Sequence, residues 1–184
     1  MEQGDAKPVI YLYPEQETTV SVSLDYAGTL TATYPAYEDG WRVTAEPDGT
    51  LYDENGNEYS YLFWEGENNT DYDFSQGFCF AGARTGDSPR AKLAVIGLTP
   101  REYNEFIVYW LPKMQDNPYN LISFQSEAYT DAAKLDIDPT PDSVLRVFMA
   151  WKPLHRAQNI EPQTFASFER NAFTVVEWGG CEVK

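Results

Sequence analysis

Apolar and polar positions alternate with a period of two through much of the first third of the chain. Thr18, Val20, Val22 and Leu24 interleave with Thr19, Ser21, Ser23 and Asp25, and Leu30, Ala32 and Tyr34 interleave with Thr29, Thr31 and Thr33. Successive side chains on a strand point to opposite faces, so each run predicts a half-buried β-strand. The turn at Ala27-Gly28 joins the two as a hairpin. Ahead of them VIYLYP is continuously apolar and stopped by proline, which suits a strand covered on both faces. Trp41, Val43 and Ala45 continue the alternation as far as Pro47-Asp48-Gly49, where proline presets φ and glycine accepts a positive one. Asn55-Gly56 predicts a two-residue hairpin loop, pairing Tyr52 with Tyr59 and setting Asp53 opposite Glu58.

The period then changes. Ser88-Pro89 and Thr99-Pro100 both read as an N-cap followed by proline in the first turn, and Thr99 with Glu102 makes a capping box. Gly97 stands where a terminating glycine belongs. Tyr103, Phe106, Ile107, Trp110 and Leu111 fall on one helical face, and Pro112 ends it. LISFQSEAY, SVLRVFMAW and AFTVVEW bring strands back. This order predicts an α+β fold, mainly antiparallel β-sheet in a meander or sandwich-like arrangement, with one helical hairpin around residues 88–112. At 184 residues the chain suits a single domain, residues 1–184, with residues 1–7 as a flexible N-terminal segment.

Charge narrows the partners. Thirteen Lys and Arg face 29 Asp and Glu, a net charge of −16 and a pI near 4.2. Such a field repels phosphate backbones, so the helix-turn-helix pattern does not predict nucleic-acid binding. No apolar run reaches the length of a membrane span, and no membrane insertion by this segment is expected. MEQGDAKP lacks a signal-peptide layout, which leaves a cytosolic chain or one whose leader has been removed. Cys79 and Cys181 belong to no metal-binding spacing, and whether they pair or stay as free thiols is open.

The standard catalytic signatures are absent, no cofactor is called for, and the single histidine, His155, sits in a polar stretch without a partner at a diagnostic spacing. Two carboxylates stand out. In YLFWEG, Tyr59, Tyr61, Phe63 and Glu65 share one strand face. In VVEWGG, Phe173, Val175 and Glu177 do the same. Each strand ends with a Trp beside a Glu and glycine after them. If the ends were neighbours, Glu65 and Glu177 flanked by Trp64 and Trp178 would resemble the acid pair and stacking platform of a glycoside-active hydrolase. Otherwise the acids are structural, accepting bonds from glycine-turn amides or pairing with Arg42, Arg146 or Arg170. Thirteen Tyr and five Trp exceed what a small core needs. Trp64, Trp178, Tyr61 and Trp41 are the candidates for a surface that stacks on sugar or cradles peptide. Asp53 and Glu58 are the weak metal candidates, since a bound cation would relieve their opposition; the spacing there does not match a calcium-binding EF-hand loop.

KPVIYLYP, GWRVTAEPDGTL, YSYLFWEG, EFIVYWLPKM with NPYNLISF, and FTVVEWGG resemble the motifs of an uncharacterised family of bacterial proteins, many exported or lipid-anchored, and the likeness runs over nearly the whole chain. The resemblance implies no catalytic residues. It implies an extracellular or cell-envelope protein with its leader removed. FAGARTGDSP departs from the family pattern, which has a longer helical lead-in there. The expectation is a non-enzymatic binding module for cell-wall polysaccharide or protein. A hydrolase using Glu65 and Glu177 and a purely structural module are its rivals.

Overall fold

The continuously apolar runs become the middle of a large sheet, and two of the three alternating runs, Thr18–Tyr26 and Trp41–Ala45, enter a smaller sheet laid against it. The computed structural model describes residues 3–184, with side chains from residue 4 onward. Its strands are β1 (Gln3–Tyr13), β2 (Thr18–Tyr26), β3 (Thr29–Tyr34), β4 (Trp41–Ala45), β5 (Leu51–Tyr52), β6 (Glu58–Tyr59), β7 (Leu62–Asn68), β8 (Gln76–Ala81), β9 (Tyr119–Gln125), β10 (Ala133–Asp138), β11 (Ser143–Leu154), β12 (Glu161–Pro162) and β13 (Thr174–Glu182). The helices are α1 (Ser88–Ile96), α2 (Pro100–Met114) and α3 (Glu127–Ala132). The large sheet runs β12-β8-β9-β11-β13-β1-β7-β3 and the small one β10-β2-β4-β5-β6. Pairing is antiparallel except at β11–β13 and β12–β8. Neither sheet closes into a barrel.

Two apolar layers result. Val9 and Tyr11 of β1, Val176 and Trp178 of β13 and Met149 of β11 face α1 and α2, meeting Leu93, Phe106 and Trp110. Ile10 and Leu12, Val175 and Cys181, and Phe148 face the other way, onto Val20, Val22 and Val43 of the small sheet and Tyr129 of α3. A central strand buried on both faces needs no alternation, which is why VIYLYP and TVVEW read as unbroken apolar runs. The paired glycines after Trp178 have a packing reason. A Cβ on Gly179 would meet Pro8 at 3.0 Å, and one on Gly180 would meet Met149 O at 2.5 Å and the Trp110 ring at 2.8 Å.

The structure alters several expectations. β2 and β3 do not pair: β2 lies between β10 and β4, whereas β3 pairs only with β7. The turn at Ala27-Gly28 therefore carries the chain from one sheet to the other. The Asn55-Gly56 loop is one residue longer than expected. Gly56 N–H donates to Asp53 O, Asp53 N–H donates to Asn57 O, and Gly56 takes φ +80°. That is a type I turn closed by a left-handed glycine, and it pairs Tyr52 with Glu58 and Leu51 with Tyr59. The slip removes the Asp53–Glu58 opposition.

The chain changes sheets again at Ser60-Tyr61, so Tyr59 packs between the sheets while Tyr61 and Phe63 face the helices. Pro112 lies inside α2, which runs on to Met114, and the second half of LISFQSEAY is helix α3, not strand. Residues 3–7 of the segment expected to be flexible are strand, with Gly4 and Asp5 paired to Glu67 and Gly66; the first two lie outside the described residues.

Candidate functional site

Glu177 and Glu65 sit on neighbouring parts of the large sheet but on opposite faces. Register places Glu177 beside Ile10 of β1, and Ile10 beside Leu62 of β7. Trp64, two residues beyond Leu62, shares the face that meets the small sheet, and its indole N–H donates to Glu177 Oε2 at 3.3 Å. Glu177 Oε1 accepts from the Tyr129 hydroxyl at 2.7 Å and from Arg146 Nε at 2.9 Å. The carboxylate is fully buried and the Arg146 side chain is 10% exposed. Burial works against the Arg146 charge, yet Glu177 and Tyr129 hold its pKa above the ordinary value. Burial first, then the Glu177 charge, pushes the Tyr129 hydroxyl well up.

A second buried acid completes this polar layer. Asp5, 1% exposed, accepts from the Tyr26 hydroxyl at 2.8 Å, Asn68 Nδ2 at 2.7 Å and the Tyr72 hydroxyl at 3.3 Å. No cation pairs with it among the described residues. Burial, opposed by the Tyr26 and Tyr72 bonds and aided by the Glu177 charge, raises its pKa to about 6. Sequence reasoning missed Asp5 because it stands in a polar start ahead of the first apolar run, and no periodicity marks it. Neither of the two clefts described below is lined by Asp5 or Glu177.

Glu65 has a local role on the helix side. β1 bulges between Asp5 and Val9, opposite Glu65, and Lys7 there has φ +49°. A bulge leaves backbone groups without ladder partners. The Glu65 carboxylate takes the freed Lys7 N–H at 3.2 Å. The two glutamates therefore do not share a site, and one is sealed by arginine, so the geometry gives no support to a hydrolase built on the pair. On the same side, the hydroxyl of Tyr11 bonds to Glu105 and accepts from the Trp178 indole, and Arg170 pairs with the buried Glu102 of the α2 capping box. These contacts tie α2 to the sheet.

Trp64 is 0%, Trp178 1% and Trp41 4% exposed, so none presents a ring to solvent. Tyr61 is half-buried against Tyr11, with the Lys7 ammonium over its ring. Asp53 is held by its own hairpin: its oxygens accept from Asn55 N, Asn57 N, Asn57 Nδ2 and the Tyr59 hydroxyl. These bonds, the Asn57 side chain first, lower its pKa, and Glu58 lies across from Tyr52 instead. Among the described residues no group of three or more His, Cys, Asp or Glu could hold a metal ion. His155 is exposed, and Cys79 and Cys181 are free thiols.

An open concave surface lies on the outside of the small sheet. Val20, Val22, Trp41 and Val43 point inward, so their neighbours line the outer face. Register sets Asp138, Ser21 and Arg42 in one row across β10, β2 and β4, and Thr19, Thr44, Tyr52 and Glu58 in the next across β2, β4, β5 and β6. Two clefts, of about 610 Å³ and about 390 Å³, meet along this face and share Glu38, Gly40, Trp41 and Arg42. The larger also takes in Tyr52, Tyr59, Asp53 and Asn55. Arg42 is exposed and, among the described residues, has no ion pair or hydrogen bond. Alternation could have pointed to Arg42, Thr44 and Tyr52 as outward-facing, but only the register aligns them.

Fold and site define a β-rich protein of two mostly antiparallel open sheets, with α1 and α2 on one face of the large sheet and α3 on the other. The chain is 52% identical over 66 residues to an uncharacterized protein in the bglA 3'region of Butyrivibrio fibrisolvens, a match covering 34% of this chain and 68% of that protein. It belongs to the family of that protein. No family model matches the chain, and no solved structure does.

Proposed function

We propose that this chain is a binding module of an exported or envelope-anchored protein, and that the groove outside the small sheet takes a neutral, hydroxyl-rich ligand such as cell-wall polysaccharide. The observation that carries this is the groove itself. Its volume of about 610 Å³ lies in the range of small-molecule sites, and its surface mixes aromatic rings with hydroxyl, amide and guanidinium groups. Tyr52 offers a flat apolar face with a polar edge, which suits a sugar ring, and Tyr59, packed inward, contributes only its rim to the groove. Asp53 fixes the Tyr59 hydroxyl, so that ring is pre-set before any ligand arrives. Arg42 supplies donors that none of the described residues uses. A net charge of −16 disfavours polyanions and leaves neutral polymers admissible. Export and anchoring rest on the motif resemblance alone.

A glycan array and a cell-wall pull-down test the reading. Saturable binding is expected, and Tyr52→Ala or Arg42→Ala should weaken it by about 1–2 kcal/mol with the fold intact. Binding no better than background on every glycan sinks it.

A further inference from the structure

The rims of the two sheets are not treated alike. β12 is two residues long and carries Glu161 and Pro162; β6 is two residues long and carries Glu58; β10 presents Lys134, Asp136 and Asp138. Short length, proline and charge are the ordinary devices that stop a sheet edge from pairing with another chain. β3 has none of them. Its six residues, TLTATY, hold no charge and no proline, in a chain that is 23% charged. A bulge between Leu30 and Ala32 is the one protective device it carries. β3 pairs only with β7, and Tyr34 at its end is 64% exposed. Along the outer side of β3, backbone N–H and C=O groups have no strand to meet among the described residues.

We infer that β3 is a docking edge at which an extended segment of a basic partner protein adds as a further antiparallel or parallel strand. Main-chain hydrogen bonds would carry the pairing; the bulge puts Thr29 and Thr33 on opposite faces, so each face of the added strand would meet a threonine. Charge selects the partner. Two copies of this chain each bring −16, so self-pairing is opposed, whereas a segment carrying lysine or arginine is drawn in. Glu67 lies one strand inward opposite Thr29, and Glu38 and Asp39 follow the strand, so acids flank the edge.

The test uses the full chain and a synthetic peptide of alternating threonine and valine with lysines at both ends. Amide exchange is followed by NMR with this peptide, with one ended in glutamates, and without peptide. Slowed exchange confined to Thr29–Tyr34 is expected, with the glutamate-ended peptide about tenfold weaker. Thr31→Lys, checked for unchanged circular dichroism, should weaken the lysine-ended peptide by about tenfold as well. Unchanged β3 exchange at saturating peptide overturns the inference, as does protection on another strand. Protection of β3 that rises with protein concentration in the absence of peptide also overturns it, because the occupant is then a second copy.

Discussion

Glu177 is where one side chain governs most. It holds Trp64, Tyr129 and Arg146 together in a largely buried layer, so removing its charge leaves a mostly buried guanidinium uncompensated. Glu177→Gln should cost about 3–5 kcal/mol in urea unfolding, while Glu65→Gln, which loses one bond to a bulge, should cost less than about 1 kcal/mol. Similar costs for the two would mean that they are equivalent after all. Asp5 makes a different prediction. Its folded pKa of about 6 lies above the ordinary 3.8, so between these values the folded state holds more proton than the unfolded one. The stability it contributes is fully present below about pH 4 and is lost as pH rises through about 6. Asp5→Asn removes that decline. The variant should gain up to about 3 kcal/mol relative to the parent between pH 4 and pH 7. A constant difference across that range would show that Asp5 does not titrate there.

At the scale of elements, strand positions were readable because alternation and apolar runs report burial directly, as at β2, β4 and β1. Pairing was not. Ala27-Gly28 looks like a hairpin turn, yet β2 and β3 enter different sheets, and nothing local to the turn encodes which neighbour buries a strand's apolar face. α3 was hidden for a different reason: SEAY carries no capping box and sits at the end of an apolar strand run, and its N-cap Ser126 makes no capping bond. Asn55-Gly56 announced a turn correctly but not its length, because Asp53 captures the amides of Asn55 and Asn57 and draws a third residue into the loop. At φ +80° with open space around it, Gly56 is constrained by backbone alone. Gly56→Ala should therefore lower stability by about 1–2 kcal/mol without disturbing the core. An unchanged melting temperature would contradict a left-handed backbone at Gly56.

For the whole molecule, the layering explains why the candidate site was legible only in part. Trp64, Trp178 and Trp41 were marked by their bulk, and bulk is what a sheet covered on both faces consumes. The outward groove uses smaller residues, Arg42, Thr44 and Tyr52, whose alignment depends on the pairing of strands far apart in sequence. Binding there is the central claim, and NMR amide shifts on adding soluble cell-wall polysaccharide fragments address it most directly. The account predicts saturable shifts gathered on β2, β4 and β5 around Arg42, Thr44 and Tyr52, with the midpoint moved to about tenfold higher fragment concentration by Tyr52→Ala. Absence of shifts at saturating fragment, or shifts gathered elsewhere on the molecule, would contradict it.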